Sequence, residues 1–269
     1  MNNATKLAVL FAAFAAAVSG AVLASGGADI RMEPAQINRL DLASQQRGAR
    51  TFVNYCLNCH SAKYMRYNRL TDLGIDLPMI EDNLMFATTK VGETMTVAMS
   101  AADAKAWFGT VPPDLTVESR VRGPEWLYNY FLGFYKDDAS VTGWNNLVFP
   151  NVAMPHVLWE LSGTNRLVTT EYKSHNEAQA AALAAKGLVL LAPGKNDTFI
   201  VETLVPETPG KLSPTEYKAM VADLVNYLDY MGEPARNQRI TLGLIALLYF
   251  VVLIALAYLL KREYWKDVH

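Results

Sequence analysis

Two uninterrupted apolar runs bracket a chain whose middle alternates apolar and polar positions at helical spacing. Residues 7–23 are apolar or small almost throughout, follow Lys6 and the amino terminus, and lead into the small-residue stretch 24–28. A short basic segment, an apolar core and small residues are the layout of a secretory signal, with Val22-x-Ala24 as a processing site. The core is also long enough to remain as an uncleaved anchor. Residues 240–260 carry no charge, with Arg236 and Arg239 before them and Lys261, Arg262 and Lys266 after. As a helix rising 1.5 Å per residue this run covers about 30 Å, the thickness of a bilayer's hydrocarbon core. It is apolar on every face, which suits lipid better than a protein core, so it predicts a single membrane span. Basic residues nearly balance across the span, and the export signal supplies the orientation: residues 261–269 form a cytoplasmic tail with Tyr264 and Trp265 at the interface.

The intervening residues 29–233 suit one globular head. The pattern over residues 43–55 predicts a helix, and Gly48, four positions before Phe52, suits a close crossing with another helix. Residues 124–135 predict a second helix, with proline in its first turn and Trp126, Leu127, Tyr130, Phe131 and Phe134 at helical spacing; aromatics so placed read as core. Ser213-Pro214-Thr215-Glu216 has the chemistry of a capping box. The helix it opens carries Tyr217, Met220, Leu224, Tyr227 and Leu228 on one face and stops near Gly232, with Pro234 before the span. Residues 187–192 and 198–204 are β-prone runs around Pro193-Gly194-Lys195-Asn196-Asp197, a hairpin signature, and 177–186 reads as a short exposed helix.

Composition narrows the classes. The chain is 51% hydrophobic and 19% charged, which excludes a disordered or fibrous protein. It has 24 Lys plus Arg against 26 Asp plus Glu, a formal charge of −2, so no basic excess exists to neutralise nucleic acid phosphates. The acidic pair Asp137 and Asp138 suits a docking face or ordinary solvated surface.

The candidate chemistry sits in Cys56-Leu57-Asn58-Cys59-His60, which contains the chain's two cysteines. Thiols so close do not make a framework disulfide. Two thiols at this spacing can each form a thioether to a haem vinyl group, which carries the adjacent histidine under the iron as an axial ligand. A zinc site would draw on His156, His175 and His269 without a second cysteine pair. A thioredoxin-like redox pair would need a βαβ setting, whereas the flanking pattern is helical. For the second axial position ten methionines compete. Met154 stands out because Asn151-Val152-Ala153-Met154-Pro155-His156 is a loop-type run in which Pro155 enforces extended backbone. Met95, Met99 and His156 are the rivals.

At this point the chain resembles bacterial cytochrome c1. The likeness rests on residues 48–55 before the haem motif, Pro112-Pro113-Asp114-Leu115, Gly123-Pro124-Glu125-Trp126-Leu127-Tyr128-Asn129-Tyr130, Met154-Pro155 and the closing span. The resemblance implies a mainly α fold: a class I cytochrome c head with a small β-hairpin insertion and a single C-terminal transmembrane helix. It implies one covalent haem c held by Cys56 and Cys59, iron ligation by His60 and Met154, and packing of the Pro112-Pro113 loop at the haem edge. Arg120 and Arg122 match the family's basic pair, one of which meets a haem propionate. The implied role is electron transfer within quinol–cytochrome c oxidoreductase, without independent substrate chemistry. The implied partners are cytochrome b and the Rieske iron-sulfur protein in a dimeric complex, with a periplasmic cytochrome c as acceptor. The head would lie in the periplasm, anchored in the bacterial inner membrane. Two rival readings remain from the sequence: a stand-alone membrane-tethered cytochrome c or oxidase subunit, and a haem enzyme or sensor with an open iron site.

Overall fold

The computed structural model describes residues 29–267, so the signal expected at residues 1–28 lies outside the described residues. The chain begins with β1 (Asp29–Arg31) and α1 (Leu42–Thr51), which runs on into a π-helical turn, Phe52–Cys56. Asp41 caps α1 by accepting the Ser44 amide, as short acceptor side chains do at helix starts. Next come β2 (Ala62–Arg66), a 3-10 segment (Tyr67–Leu73), α2 (Leu77–Asn83), β3 (Thr94–Met95), α3 (Ala101–Phe108) and α4 (Glu118–Arg122). Then follow α5 (Pro124–Leu132), β4 (Phe134–Lys136), β5 (Trp144–Asn146), the single turn α6 (Trp159–Ser162) and β6 (Gly163–Tyr172). The head closes with α7 (His175–Ala184), β7 (Val189–Pro193), β8 (Phe199–Pro209) and α8 (Pro214–Gly232), and the chain ends in α9 (Arg236–Tyr264).

The main core lies between α1 and α8, and its largest buried side chains include Phe52, Tyr67, Leu70, Leu224 and Tyr227. Gly48 sits where the two helices meet: a Cβ there would stand 2.0 Å from the Asp223 carbonyl oxygen and 2.7 Å from Tyr227 Cβ. The crossing is therefore closed to any side chain. Polar pairs fix its register: Arg47 forms a bidentate pair with Asp223 at 2.6 and 2.8 Å. Buried Asn226 donates to Ser44 Oγ at 2.8 Å and accepts the Asn38 amide at 2.9 Å. The capping box at Ser213 and Glu216 forms as its sequence predicts, and Tyr217, Leu224, Tyr227 and Leu228 are buried along α8.

β-structure is more extensive than a small hairpin insertion. The predicted hairpin is β7–β8, but it belongs to a six-stranded sheet in the order β1-β7-β8-β6-β4-β5. β6 pairs with β8 along its whole length. A chain read locally reveals β-prone runs but not the partners that join them. Phe134 and Tyr135, read as the end of a helix, belong to β4 and pair with Asn146 and Asn145. Gly133 closes α5 just before them. The predicted exposed helix is α7, which packs Ala178 and Ala182 on the sheet beside Val189 and Val201. Arg31 on β1 donates to the carbonyls of Ala182 (2.6 Å), Leu183 (3.2 Å), Ala185 and Gly187 (3.2 Å), a cation on the carbonyl end of α7.

After Gly232 only three residues intervene before α9, and Glu233 pairs with Arg239 at 2.6 Å across them. Gln238–Tyr264 is, among the described residues, the one helical stretch long and apolar enough to cross a membrane, and none of it is buried in the protein. It contains the predicted run 240–260.

Gly48→Ala is expected to destabilise the head by about 1–3 kcal/mol or more, because the backbone of α8 has to move to admit one methyl group. Equilibrium denaturant unfolding of the head measures this. A loss below about 0.5 kcal/mol would mean that the crossing can relax.

Candidate functional site

The helix bearing the cysteines changes pitch just before them. The Leu57 amide bonds to the Phe52 carbonyl at 3.0 Å, a π-type step, and the Cys59 and His60 amides return to the Cys56 carbonyl at 3.1 and 2.9 Å. Such single π-turns are frequent at functional sites. Burial pushes the Cys56 thiol up to about 12 and raises that of half-buried Cys59, so both are neutral thiols in the free chain.

Cys56, Cys59 and His60 line one cavity of about 420 Å3. Its other walls come from the 108–118 segment, from Arg122, Trp126, Leu127, Tyr130 and Phe131 on α4 and α5, and from Phe149 to Val157. Tyr55, Val111 and Phe149 are exposed and form the rim. Of the methionines considered, Met154 is the one on this lining. Its sulfur accepts a hydrogen bond from the Tyr130 hydroxyl at 3.4 Å, and burial raises the phenol well above its ordinary range, so the donor keeps its proton. Met95 is buried instead in the α1–α8 core, where its sulfur faces the Tyr227 hydroxyl at 3.6 Å. Met99 is not on the lining. His156, the other rival, is stacked on Phe134 at 4.7 Å with its Nε2 against Ser162 Oγ at 2.8 Å. Burial lowers its pKa to about 4, and it serves the packing beneath the loop.

His60 Nδ1 lies 2.8 Å from the Pro113 carbonyl oxygen. A carbonyl only accepts, so Nδ1 carries the proton and Nε2 is left with its lone pair. Burial lowers the His60 pKa, opposed by the Pro113 hydrogen bond and by Glu118 and Asp114, which keeps the ring neutral and fit to bind a metal. The Pro112-Pro113 loop is fastened to the residues after His60. The Leu115 amide bonds to the Ser61 carbonyl at 2.9 Å, and Asp114 accepts the Lys63 and Thr116 amides at 2.8 and 2.9 Å. Two prolines without amide hydrogens thus present a carbonyl in fixed position to the imidazole.

The basic pair separates. Arg122 is on the cavity lining, with its guanidinium 4.9 Å from the Trp126 ring centre and 5.6 Å from that of Phe149, and it pairs with Glu118 at 3.3 Å. Arg120 is not on the lining. The aromatic stripe of α5, read as core, is also cavity wall: Trp126 stacks on Tyr130 at 5.1 Å and meets Phe149 edge-on at 6.3 Å. Helical spacing marks such a stripe as buried without saying whether protein or ligand covers it. Phe149 carries no such signal. Asp137 is tied into its own turn, where it accepts from Asn145 at 2.8 Å and from the Ala139 amide at 3.0 Å.

Two thiols, a neutral imidazole and a thioether on the lining of one largely apolar cavity form the donor set that covalent haem requires, and a cationic guanidinium on the same lining suits its carboxylates. No cluster of three or more metal-ligating side chains of the zinc or carboxylate type occurs among the described residues. The cavity therefore fits haem.

The chain is similar to known proteins over nearly its whole length. The model described as the Cytochrome C1 family matches residues 34–186 and 207–268. The unmatched stretch, 187–206, covers β7 and most of β8. The chain is 46% identical over 262 residues to cytochrome c1 of Allochromatium vinosum, covering 97% of this chain and 99% of that protein. It is 41% identical over 263 residues to a Nitrosomonas europaea protein named ammonia monooxygenase gamma subunit, covering 98% and 97% of the two chains. Cytochrome c1 of Rhodospirillum rubrum is 25% identical over 292 residues, covering 100% of this chain and 99% of that one.

Proposed function

The chain belongs to the cytochrome c1 family, and on that premise we propose how its head works. It is the c-type cytochrome subunit of the bc1 complex, it carries covalently attached haem c, and it serves electron transport. In our reading Cys56 and Cys59 would hold the haem through two thioethers, and His60 Nε2 and Met154 Sδ would ligate its iron. The observation that carries this reading is the single cavity that gathers all four donors, with His60 Nδ1 already engaged by Pro113.

Haem bound here supplies a one-electron iron couple. The chain's own residues set the conditions. Pro113 fixes the orientation of the imidazole and, by accepting from Nδ1, makes it a stronger donor through Nε2. Tyr130 holds the thioether by its hydroxyl hydrogen. The apolar walls exclude water, and a thioether ligand in such surroundings favours the reduced iron and raises the potential. Of the basic pair, our reading gives the propionate contact to Arg122, which is on the lining, rather than to Arg120, which is not. With His60 and Met154 both supplied by the chain as iron ligands, haem held here would have no site open to oxygen or peroxide, which supports a carrier without substrate chemistry of its own.

The electron is passed from the Rieske iron-sulfur protein to a periplasmic cytochrome c, with cytochrome b as the membrane partner in a dimeric complex. α9 anchors the head, which faces the periplasm, and the basic residues Lys261, Arg262 and Lys266 lie on the cytoplasmic side. The family membership and the one long apolar helix among the described residues support the membrane anchoring, and the export signal read in the sequence supports the orientation.

Three outcomes test the reading. Replacing both Cys56 and Cys59 by alanine is expected to abolish covalent attachment, since the chain has no other thiol. Acidic organic solvent would then extract the haem, and haem retained on the polypeptide would overturn the assignment. Met154→Leu keeps the volume nearly constant while removing the sulfur. It is expected to preserve covalent haem, abolish the near-infrared sulfur-to-iron band and lower the midpoint potential by on the order of 0.1 V. A Leu variant that keeps band and potential would show that another side chain is the ligand. Ending the chain after Gly232 is expected to release a soluble haem-bearing head. If the product stays in the membrane, the mass of the mature amino terminus shows whether residues 1–28 are retained as a second anchor.

A further inference from the structure

Asn145 and Asn146 are buried side by side on β5, at 8% and 0% exposure, although an asparagine side chain is costly to bury unless its donors and acceptor are used. Asn145 donates to Asp137 at 2.8 Å, and the other side-chain bonds of the pair run within β5 or to the segments that carry Tyr130 and Met154. Asn146 donates to the Tyr130 carbonyl at 2.7 Å, near the end of α5 where helical carbonyls run short of partners. Its side-chain oxygen accepts the Val148 and Phe149 amides at 2.9 and 3.1 Å. Asn145 accepts the amide of Asn146 at 2.9 Å and that of Asn151 at 2.8 Å. Asn151 stands at φ 61, in the left-handed region, three residues before Met154. The space for Asn146 exists because residue 133 is glycine: a Cβ there would lie 2.9 Å from Asn146 Oδ1.

We infer that Asn146 is a positioning residue for the sixth iron ligand. It rests on the reading of Met154 as that ligand. One side chain bonds both to the backbone of Tyr130, whose hydroxyl grips the sulfur, and to the loop that delivers the sulfur. It thereby fixes the separation of hydroxyl and thioether from behind, touching neither. The neighbouring Asn145 holds the left-handed turn at Asn151, so the loop approaches Met154 in one conformation. Shortening Asn146 leaves the Tyr130 carbonyl with the Gly133 amide alone and two loop amides without a partner, and the loop is then free to lift the sulfur away from the iron.

The test uses the full-length holoprotein with ferric haem and imidazole as an entering ligand, whose binding must wait for the thioether to leave. Asn146→Ser removes the reach to Tyr130. Asn146→Asp keeps the size and the acceptor but, as a carboxylate, loses the donor. Both variants are expected to retain covalent haem and to take up imidazole about tenfold faster or more, the Ser variant the more strongly, with a weakened near-infrared sulfur band. Asn226→Ser, which removes an equally buried asparagine from the α1–α8 crossing, controls for general loss of stability and is expected to leave the rate within about twofold. The inference is overturned if the Asn146 variants stay within twofold of the parent, if Asn226→Ser accelerates uptake equally, or if both Asn146 variants fail to hold covalent haem, which would make Asn146 a residue of the fold. Met154→Leu is run alongside. If it takes up imidazole no faster than the parent, the ligand reading itself has failed, a result that the Asn146 variants alone cannot produce.

Discussion

The head depends on a contact that admits no side chain. α1 and α8 approach so closely at Gly48 that backbone lies against backbone, and the Arg47–Asp223 and Asn226–Ser44 pairs on either side hold the two helices in register. Two walls of the cavity hang from this crossing. α1 leads through the π-turn into Cys56, and α8 contributes Leu228 to the lining and binds the end of α5 through the Tyr217 hydroxyl on the Phe131 carbonyl at 3.0 Å. Helices packed this tightly have one arrangement available, so the residues they carry arrive at the cavity already placed.

Around that frame the site is assembled by hydrogen bonds from backbone to side chain rather than by charge. His60 is aimed by a carbonyl, the proline loop is held by Asp114, and the methionine loop is held by two asparagines. A buried network of this kind is strong when every member is satisfied and costly when one is removed. Arg122 is the one cation on the lining, and it is partly engaged by Glu118 and the aromatic faces of Trp126 and Phe149.

Much of this was legible in the sequence because it is written locally. Cys56, Cys59 and His60 announce themselves by spacing, Pro155 marks Met154 as a loop residue, and the Ser213–Glu216 box and Gly48 each state a helix start and a crossing. What the sequence hid is non-local. The six-stranded sheet joins β1 to β7 and β6 to β4 over separations that no periodicity records, so only the β7–β8 hairpin was visible, as an apparent small insertion. The division of the basic pair into Arg122 on the lining and Arg120 off it depends on where a single turn of α4 points. The wall residues Trp126 and Tyr130 carry the pattern of core residues yet are half-buried, because burial against protein and burial against a bound group leave the same pattern. The Tyr130–Met154 bond, between segments 24 residues apart, left no mark at all.

The three-residue joint between α8 and α9 carries a mechanical consequence. It contains Pro234, is braced by the Glu233–Arg239 pair, and follows directly from the helix that crosses the cysteine-bearing segment. A joint so short has no tether length with which to swing. The joint gives the head little reach from its anchor, so its redox centre covers little of a tunnelling gap by travelling. The shorter the reach of the head, the more of the approach falls to its electron donor and acceptor.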